Sequence, residues 1–304
     1  MQTVGSNFFK PKVTEHTGTI TIIGPRSSGK TTYLAGLAYF PQKSLEENKN
    51  NPKYEVRVGD SKDALNLVRD AKNILFNGGG FKPTVLDFKE AKERPKSYDF
   101  TININHPQKE TISLQTTDFP GEGLEKITDK TSEYREYLEE RLTEKDSSFL
   151  ILLSNWEDDN EISETIQVFK DIISFKVAQE DWQNLRFAVA MNKCERGELW
   201  PSRIEPEMDL FHQYLPNTTY ELYQLIKQFG IPKENLKFFA MSTFGVIRDD
   251  DPRPNRKDEI KIARTASDDE VRVSTLKEPK LWKPYGMISP LYWLATKKRL
   301  SPDV

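Results

Sequence analysis

A single cysteine, Cys194, stands among 304 residues, which excludes an internal disulfide and a cysteine-rich zinc site. Histidine is nearly as scarce. His16, His106 and His212 lack metal-site spacing and read as ordinary surface or core residues. No apolar run approaches the roughly 18 residues of a membrane span, and the opening Met1-Gln2-Thr3-Val4-Gly5 does not have the pattern of a signal peptide. Basic charge is not in excess either. Lys and Arg number 44 against 47 Asp and Glu, a net charge of −3 with the cations dispersed, so no nucleic-acid face is expected. These absences lead us to expect a cytoplasmic chain without a membrane span. Its 36 % hydrophobic and 30 % charged residues suffice for one core with long polar surface loops.

What is present is concentrated in residues 19–32, Thr-Ile-Thr-Ile-Ile-Gly-Pro-Arg-Ser-Ser-Gly-Lys-Thr-Thr. A β-branched run (Ile20, Ile22, Ile23) stops at Gly24, and Gly29-Lys30-Thr31 completes G-x-x-x-x-G-K-[ST] before a helical stretch. In such a loop the backbone N–H groups of Arg26, Ser27, Ser28, Gly29, Lys30, Thr31 and Thr32 wrap phosphates, helped by the positive end of the helix. The Lys30 ammonium would reach the β- and γ-phosphates, and the Thr31 hydroxyl would hold Mg²⁺. A nucleoside triphosphate is the expected ligand.

Strands and helices alternate after the loop. Tyr33, Leu34 and Leu37 begin a helix, and residues 41–60 read as polar loop. Asp60 or Ser61 caps a second helix with Ala64, Leu67, Val68, Ala71, Ile74 and Leu75 on one face, and Gly78-Gly79-Gly80 ends it. Strands are expected at 97–105, 111–117, 149–153, 185–191 and 236–241, and helices at 161–177 and 218–229. This order implies an α/β fold, a mostly parallel sheet with helices on both faces. Ligands of such sheets sit at the carboxyl ends of the strands, so the residues after each strand matter most.

After the strand at 111–117 stands Asp118-Phe119-Pro120-Gly121-Glu122. Asp118 is placed to reach Mg²⁺ through water, and Gly121 lets its N–H approach a γ-phosphate. After the strand at 185–191 stands Asn192-Lys193-Cys194-Glu195. Guanine presents an N1–H beside a 2-amino group, and the Glu195 carboxylate can accept from both; adenine's N1 acceptor would repel it. Lys193 would flank the ring and Asn192 would tie the loop together. After the strand at 236–241, the small residues Ser242 and Thr243 would let backbone N–H groups near the guanine O6.

In order and placement, residues 24–31, 118–121, 192–195 and 242–243 resemble the motifs of P-loop GTPases of the Ras-like and translation-factor class, over residues 19–245. The resemblance implies a P-loop NTPase fold of the Ras-like G-domain type. It further implies GTP with Mg²⁺, hydrolysis to GDP that is slow without a partner, and a switch that displays a surface to an effector or activating protein. Glu195 stands where the family has Asp, one methylene further out. Glu122 stands where many relatives carry a catalytic Gln or His. Arg26 lies where dynamin-like and guanylate-binding relatives place a phosphate-facing loop side chain. Both are candidate catalytic residues, with projection into solvent the alternative for Arg26. The family's Mg²⁺-completing switch I threonine is assigned to Thr84, after the glycines 78–80.

The expected organisation is a tail at 1–18 and one GTPase domain at 19–304. That domain has a helical insertion at 41–84, a polar mobile or partner-binding insertion at 249–280, and a final helix at 289–298 capped by Ser289. The glycines before Thr84 and the closing Ser-Pro-Leu-Tyr-Trp-Leu look like bacterial double-GTPase proteins of signalling or defence systems. Two other readings stay open: a nucleotide-dependent scaffold with little hydrolysis, and an ATPase or small-molecule kinase on the same loop.

Overall fold

The computed structural model describes residues 13–47, 54–77, 95–105, 109–144, 147–175, 182–262 and 270–300. In chain order the main elements begin with β1 (Thr14–Ile23), α1 (Lys30–Glu47), β2 (Tyr54–Val58) and α2 (Lys62–Lys72), which a π-turn over Asn73–Asn77 prolongs. β3 (Ser97–Ile104), β4 (Glu110–Asp118), α3 (Gly121–Lys126), α4 (Glu133–Thr143), β5 (Ser148–Leu153) and α5 (Ser163–Phe175) follow. Then come β6 (Arg186–Met191), the short α6 (His212–Tyr214), α7 (Pro216–Gln228) and β7 (Leu236–Ala240). The chain continues through β8 (Val246–Arg248), β9 (Asp251–Pro254), β10 (Arg256–Ile262), β11 (Glu270–Leu276) and α8 (Ser289–Thr296).

Seven strands form one sheet in the order β2-β3-β4-β1-β5-β6-β7. β1 runs parallel to both β4 and β5, and β5, β6 and β7 are parallel; β3 is antiparallel to β4 and β2 to β3. Alternation along the strands builds a core on each face. Phe149, Ile151 and Leu153 of β5 join Phe169, Phe187, Val189 and Leu222 on one side. Leu150 and Leu152 join Leu34, Leu37, Ile102 and Leu291 on the other. The expected α/β fold, a mostly parallel sheet with helices on both faces, is therefore present. Because the chain leaves β1 toward β4 on one side and β5 on the other, the end of β1 opens at a topological switch point. The loop 24–31 lies there.

Five local expectations are corrected. The supposed tail at 1–18 enters the sheet at Thr14, because Thr14 to Gly18 continue the parallel register against Glu110 to Leu114. The supposed loop at 41–60 contains the rest of α1 and strand β2, whose buried Tyr54 and Val56 pair with Ile104 and Ile102. Helices α3 and α4 fill a stretch for which no element was expected; Tyr134, Leu138 and Leu142 are their buried stripe. Within 249–280, β9 pairs back on β8 just before it and β10 pairs with β11, so this segment is strand where described rather than loop. Finally, Ser289 is the first residue of α8 and Ile288 takes the cap position, since the helical ladder starts with Tyr292 N–H on the Ile288 carbonyl at 2.9 Å.

The β10–β11 hairpin has few large apolar residues, and a lone hairpin is marginal in water. It is tethered. Leu276 packs with Leu75, Phe244 and Trp282, and fully buried Asn255 exchanges side-chain bonds with the Glu278 N–H at 2.7 Å and carbonyl at 3.0 Å.

Candidate functional site

The phosphate loop is held by its own backbone. Ser28 N–H closes a turn on the Pro25 carbonyl at 3.2 Å, and Tyr33 N–H on Gly29 O at 2.8 Å starts α1 directly behind it. Gly29 has φ +92° and a Cβ there would meet Asn192 Nδ2 at 2.6 Å, so glycine is needed both for the turn and for the close approach. Lys30 folds over the loop, its Nζ donating to Gly24 O at 2.6 Å and Pro25 O at 3.1 Å, with Ser28 Oγ at 3.5 Å. Burial pushes its pKa down, opposed by the charges of Asp118 and Glu161. Thr32 and Ser28 are buried, while Arg26 and Ser27 are exposed, so Arg26 projects from the loop.

Asp118 ends β4 beside Ile22 of β1. Its Oδ2 accepts from Thr31 Oγ1 at 3.5 Å, and its buried Oδ1 has no hydrogen-bond partner among the described residues. Burial raises its pKa; Lys30, Lys96 and the Thr31 hydroxyl pull it down. A hydroxyl and a carboxylate with a spare oxygen, at a phosphate loop, fit Mg²⁺, which takes few protein ligands and keeps waters and phosphate oxygens. Gly121 brings the next loop against the first. A Cβ there would lie 2.9 Å from the Arg26 nitrogen. Glu122 follows as the second residue of α3, and its side chain lies outside the described parts, as does the whole of Thr84.

The loop after β6 is tied to the phosphate loop twice. Asn192 Nδ2 donates to Ser28 O at 2.9 Å and its Oδ1 accepts from Lys193 N–H at 2.9 Å. Lys193, at φ +62°, lays its ammonium across to Ser27 O at 2.5 Å and Ser154 Oγ at 3.2 Å. Burial, with the nearby Arg256 and Arg196 charges, lowers its pKa to about 8. Glu195 is 1 % exposed; Ser242 Oγ donates to its Oε2 at 2.6 Å, so the residues after β6 and β7 meet directly, a contact the sequence alone did not anticipate. One expectation changes. Ser242 N–H bonds the Tyr285 carbonyl at 2.9 Å, so it is not among the donors a base carbonyl could meet. Thr243 is held through its carbonyl, which accepts from Trp282 Nε1 at 2.7 Å.

Two charged residues at the site carried no sequence motif. Glu161, in the turn before α5, acts electrostatically on Lys30; burial and Asp158 push its carboxyl up to about 7, against the Asn155 and Ser154 N–H groups and Lys193. Arg256, the first residue of β10, lies 3.5 Å from Glu195 Oε1. A loop turned back on itself and a hairpin packed across the fold supply these two, and neither leaves a spacing in the chain.

No protein-family model matches the sequence, and no curated protein matches it. Several solved structures are similar at low identity. The GTP-bound Ski7 GTPase-like domain of S. cerevisiae is 16 % identical over 78 % of this chain and 45 % of its own, with a TM-score of 0.39. The nucleolar GTP-binding protein 1 from Plasmodium falciparum is 15 % identical over 77 % and 81 %, with a TM-score of 0.31. The signal recognition particle receptor SRb-GTP/SRX complex from Chaetomium thermophilum gives 15 %, 74 % and 89 %, with a TM-score of 0.35. The chain spans under half the length of the Ski7 structures it resembles. TM-scores this low leave the assignment to the geometry of the site.

Proposed function

We propose that this chain is a GTP-binding and GTP-hydrolysing switch, acting in the cytoplasm through a partner that engages the GTP-bound form, in a bacterial signalling or defence system. The observation that carries the reading is the convergence of three loops. Residues 24–31, 118–121 and 192–195 come from separate strands of the sheet. Asn192, Lys193, Thr31 and the Gly121 backbone bring them into contact, which supports reading them together as a phosphate-and-base platform.

Each residue then has a task. Apart from Ser28, whose N–H closes the turn on Pro25, the loop N–H groups of 26–32 bind the phosphates, and Lys30 carries its ammonium to the β- and γ-oxygens. Thr31 and Asp118, the latter through water, would hold Mg²⁺, with Thr84 completing the set, and the ion would supply charge neutralisation at the phosphates. Gly121 N–H reads the γ-phosphate, so loss of that phosphate releases the 118–123 loop toward or away from a partner. Glu195 selects guanine. Glu122 is the candidate for orienting water, although a carboxylate adds like charge beside the γ-phosphate. Arg26 is the candidate for neutralising charge at the β–γ bridge.

Single-turnover GTP hydrolysis by the native, Glu122→Ala and Arg26→Ala proteins tests this. A tenfold or larger fall in either variant assigns the chemistry to that side chain. Unchanged rates in both move it to the switch I loop or a partner, and no hydrolysis at all in the native protein favours the scaffold reading. Equal affinity for ATP and GTP rejects the guanine assignment.

A further inference from the structure

The base loop carries a contact that its motif does not call for. Glu195 Oε2 is engaged by Ser242 Oγ at 2.6 Å. Its other oxygen, Oε1, stands 3.5 Å from Arg256 Nη1, and both atoms are buried without a hydrogen-bond partner among the described residues. The guanidinium is held there from other sides. Nε donates to Asp258 Oδ1 at 2.5 Å, Nη2 to Ser274 Oγ at 2.5 Å, and the group sits 5.6 Å from the Phe244 ring centroid. Asp258 also pairs with Arg196 of the base loop at 3.0 Å. One hairpin end is thus fastened to the loop that Glu195 belongs to.

A guanine edge needs two carboxylate lone pairs, one for N1–H and one for the 2-amino group. Ser242 takes one lone pair of Oε2, whereas Oε1 accepts no hydrogen bond among the described residues and is the less occupied oxygen, and Arg256 stands on that side. The ion pair is a poor one. It is desolvated, yet no hydrogen bond joins Nη1 to Oε1, so much of its burial cost is uncompensated. Two well-aimed neutral donors from a base can replace it.

Resting on the reading that residues 192–195 meet a guanine base, we propose that Arg256 is a specificity-determining residue. It competes with the base's N1–H and 2-amino edge for Glu195 Oε1 and holds guanine affinity down. Adenine, which has no N1–H, gains nothing from displacing it, so Arg256 lowers the GTP-over-ATP ratio. The occupant that the pocket prefers is still a guanine nucleotide, bound more weakly than the motif alone would allow.

The test uses the full chain with Mg²⁺ and measures GTP and ATP affinity by displacement of a fluorescent GDP analogue. Arg256→Gln should tighten GTP about tenfold and leave ATP unchanged, as expected when a charged competitor leaves a hydrogen-bonding carboxylate. Asp258→Asn, which loosens the guanidinium without removing it, should act in the same direction with smaller size, and serves if Arg256→Gln does not fold. In a Glu195→Ala background, Arg256→Gln should change nothing. Unchanged or weaker GTP binding by folded Arg256→Gln, or a gain that persists in Glu195→Ala, overturns the proposal and leaves a structural ion pair. A native protein that binds GTP no better than ATP overturns the base-loop reading and this inference together. A GTP-selective native protein whose variants are unaltered overturns this inference alone.

Discussion

Asn192 and Ser28, 164 positions apart in the chain, are joined by a 2.9 Å bond from the Asn192 amide to the Ser28 carbonyl. A loop assigned to the base and a loop assigned to the phosphates are therefore one mechanical unit.

Asn192→Ala should leave the Ser28 carbonyl buried without its donor, at a cost of about 1–3 kcal/mol in stability. Because the bond orients both loops, GDP and GTP affinity should fall by similar factors. Chemical denaturation and nucleotide titration check this, and a loss confined to GTP would argue against a shared unit.

Gly29→Ala is expected to be worse than a normal surface change. Its φ of +92° and the 2.6 Å approach of Asn192 Nδ2 combine backbone strain with a clash, together about 2–4 kcal/mol. The midpoint of unfolding should drop, and triphosphate binding should weaken more than in Asn192→Ala.

Lys30→Ala should reduce GTP affinity about a hundredfold or more, since it deletes charged hydrogen bonds to two phosphates. Far-UV circular dichroism should be unchanged, because Lys30 Nζ otherwise contacts only its own loop at Gly24, Pro25 and Ser28 in the bonds described. Retained affinity in the folded variant would remove the phosphate-site reading at its root.

Glu161 predicts a pH effect. Its carboxyl is raised from 4.5 to about 7, so the native state holds that proton more tightly than the unfolded chain. This contribution is full below about 4.3 and is lost as pH rises to 7 and beyond. Partial exposure screens it to about 1–2 kcal/mol. Glu161→Gln, which keeps the neutral shape, should flatten the stability curve between pH 4.5 and 7 relative to the native protein. Parallel curves for the two would show that Glu161 titrates normally.

The fold and the strand–loop–helix course of residues 19–32 were legible because local rules govern them. A β-branched run, a glycine turn and a lysine at fixed spacing specify strand, loop and helix without reference to the rest of the chain. Elsewhere the signal was present but fainter: Tyr134, Leu138 and Leu142 form a helical stripe in α4 that the charged residues around them obscure. β2 is five residues at a sheet edge, too short for alternation to stand out. The β10 strand reads Arg-Lys-Asp-Glu-Ile-Lys-Ile and has no continuous apolar face, so composition suggested loop where pairing with β11 made strand. Glu161 and Arg256 reach the site through tertiary closure, which no spacing encodes.

The Tyr33 hydroxyl, one turn into the helix behind the phosphate loop, donates to the carbonyl of Met287 at 2.8 Å across 254 positions. Met287 also packs against Gly36, where a Cβ would meet its Cε at 2.7 Å, and Trp282 grips Thr243 nearby. An early-made part of the site thus leans on a segment synthesised 254 positions later. During translation, the phosphate loop emerges long before its support exists, and domains mature only when such distant contacts close. A ribosome-bound chain stalled before residue 282 should therefore retain nucleotide poorly, and one stalled with residue 296 well clear of the exit tunnel should retain it as the released protein does. On the proposed reading, nucleotide capture waits on the arrival of residues 282–296.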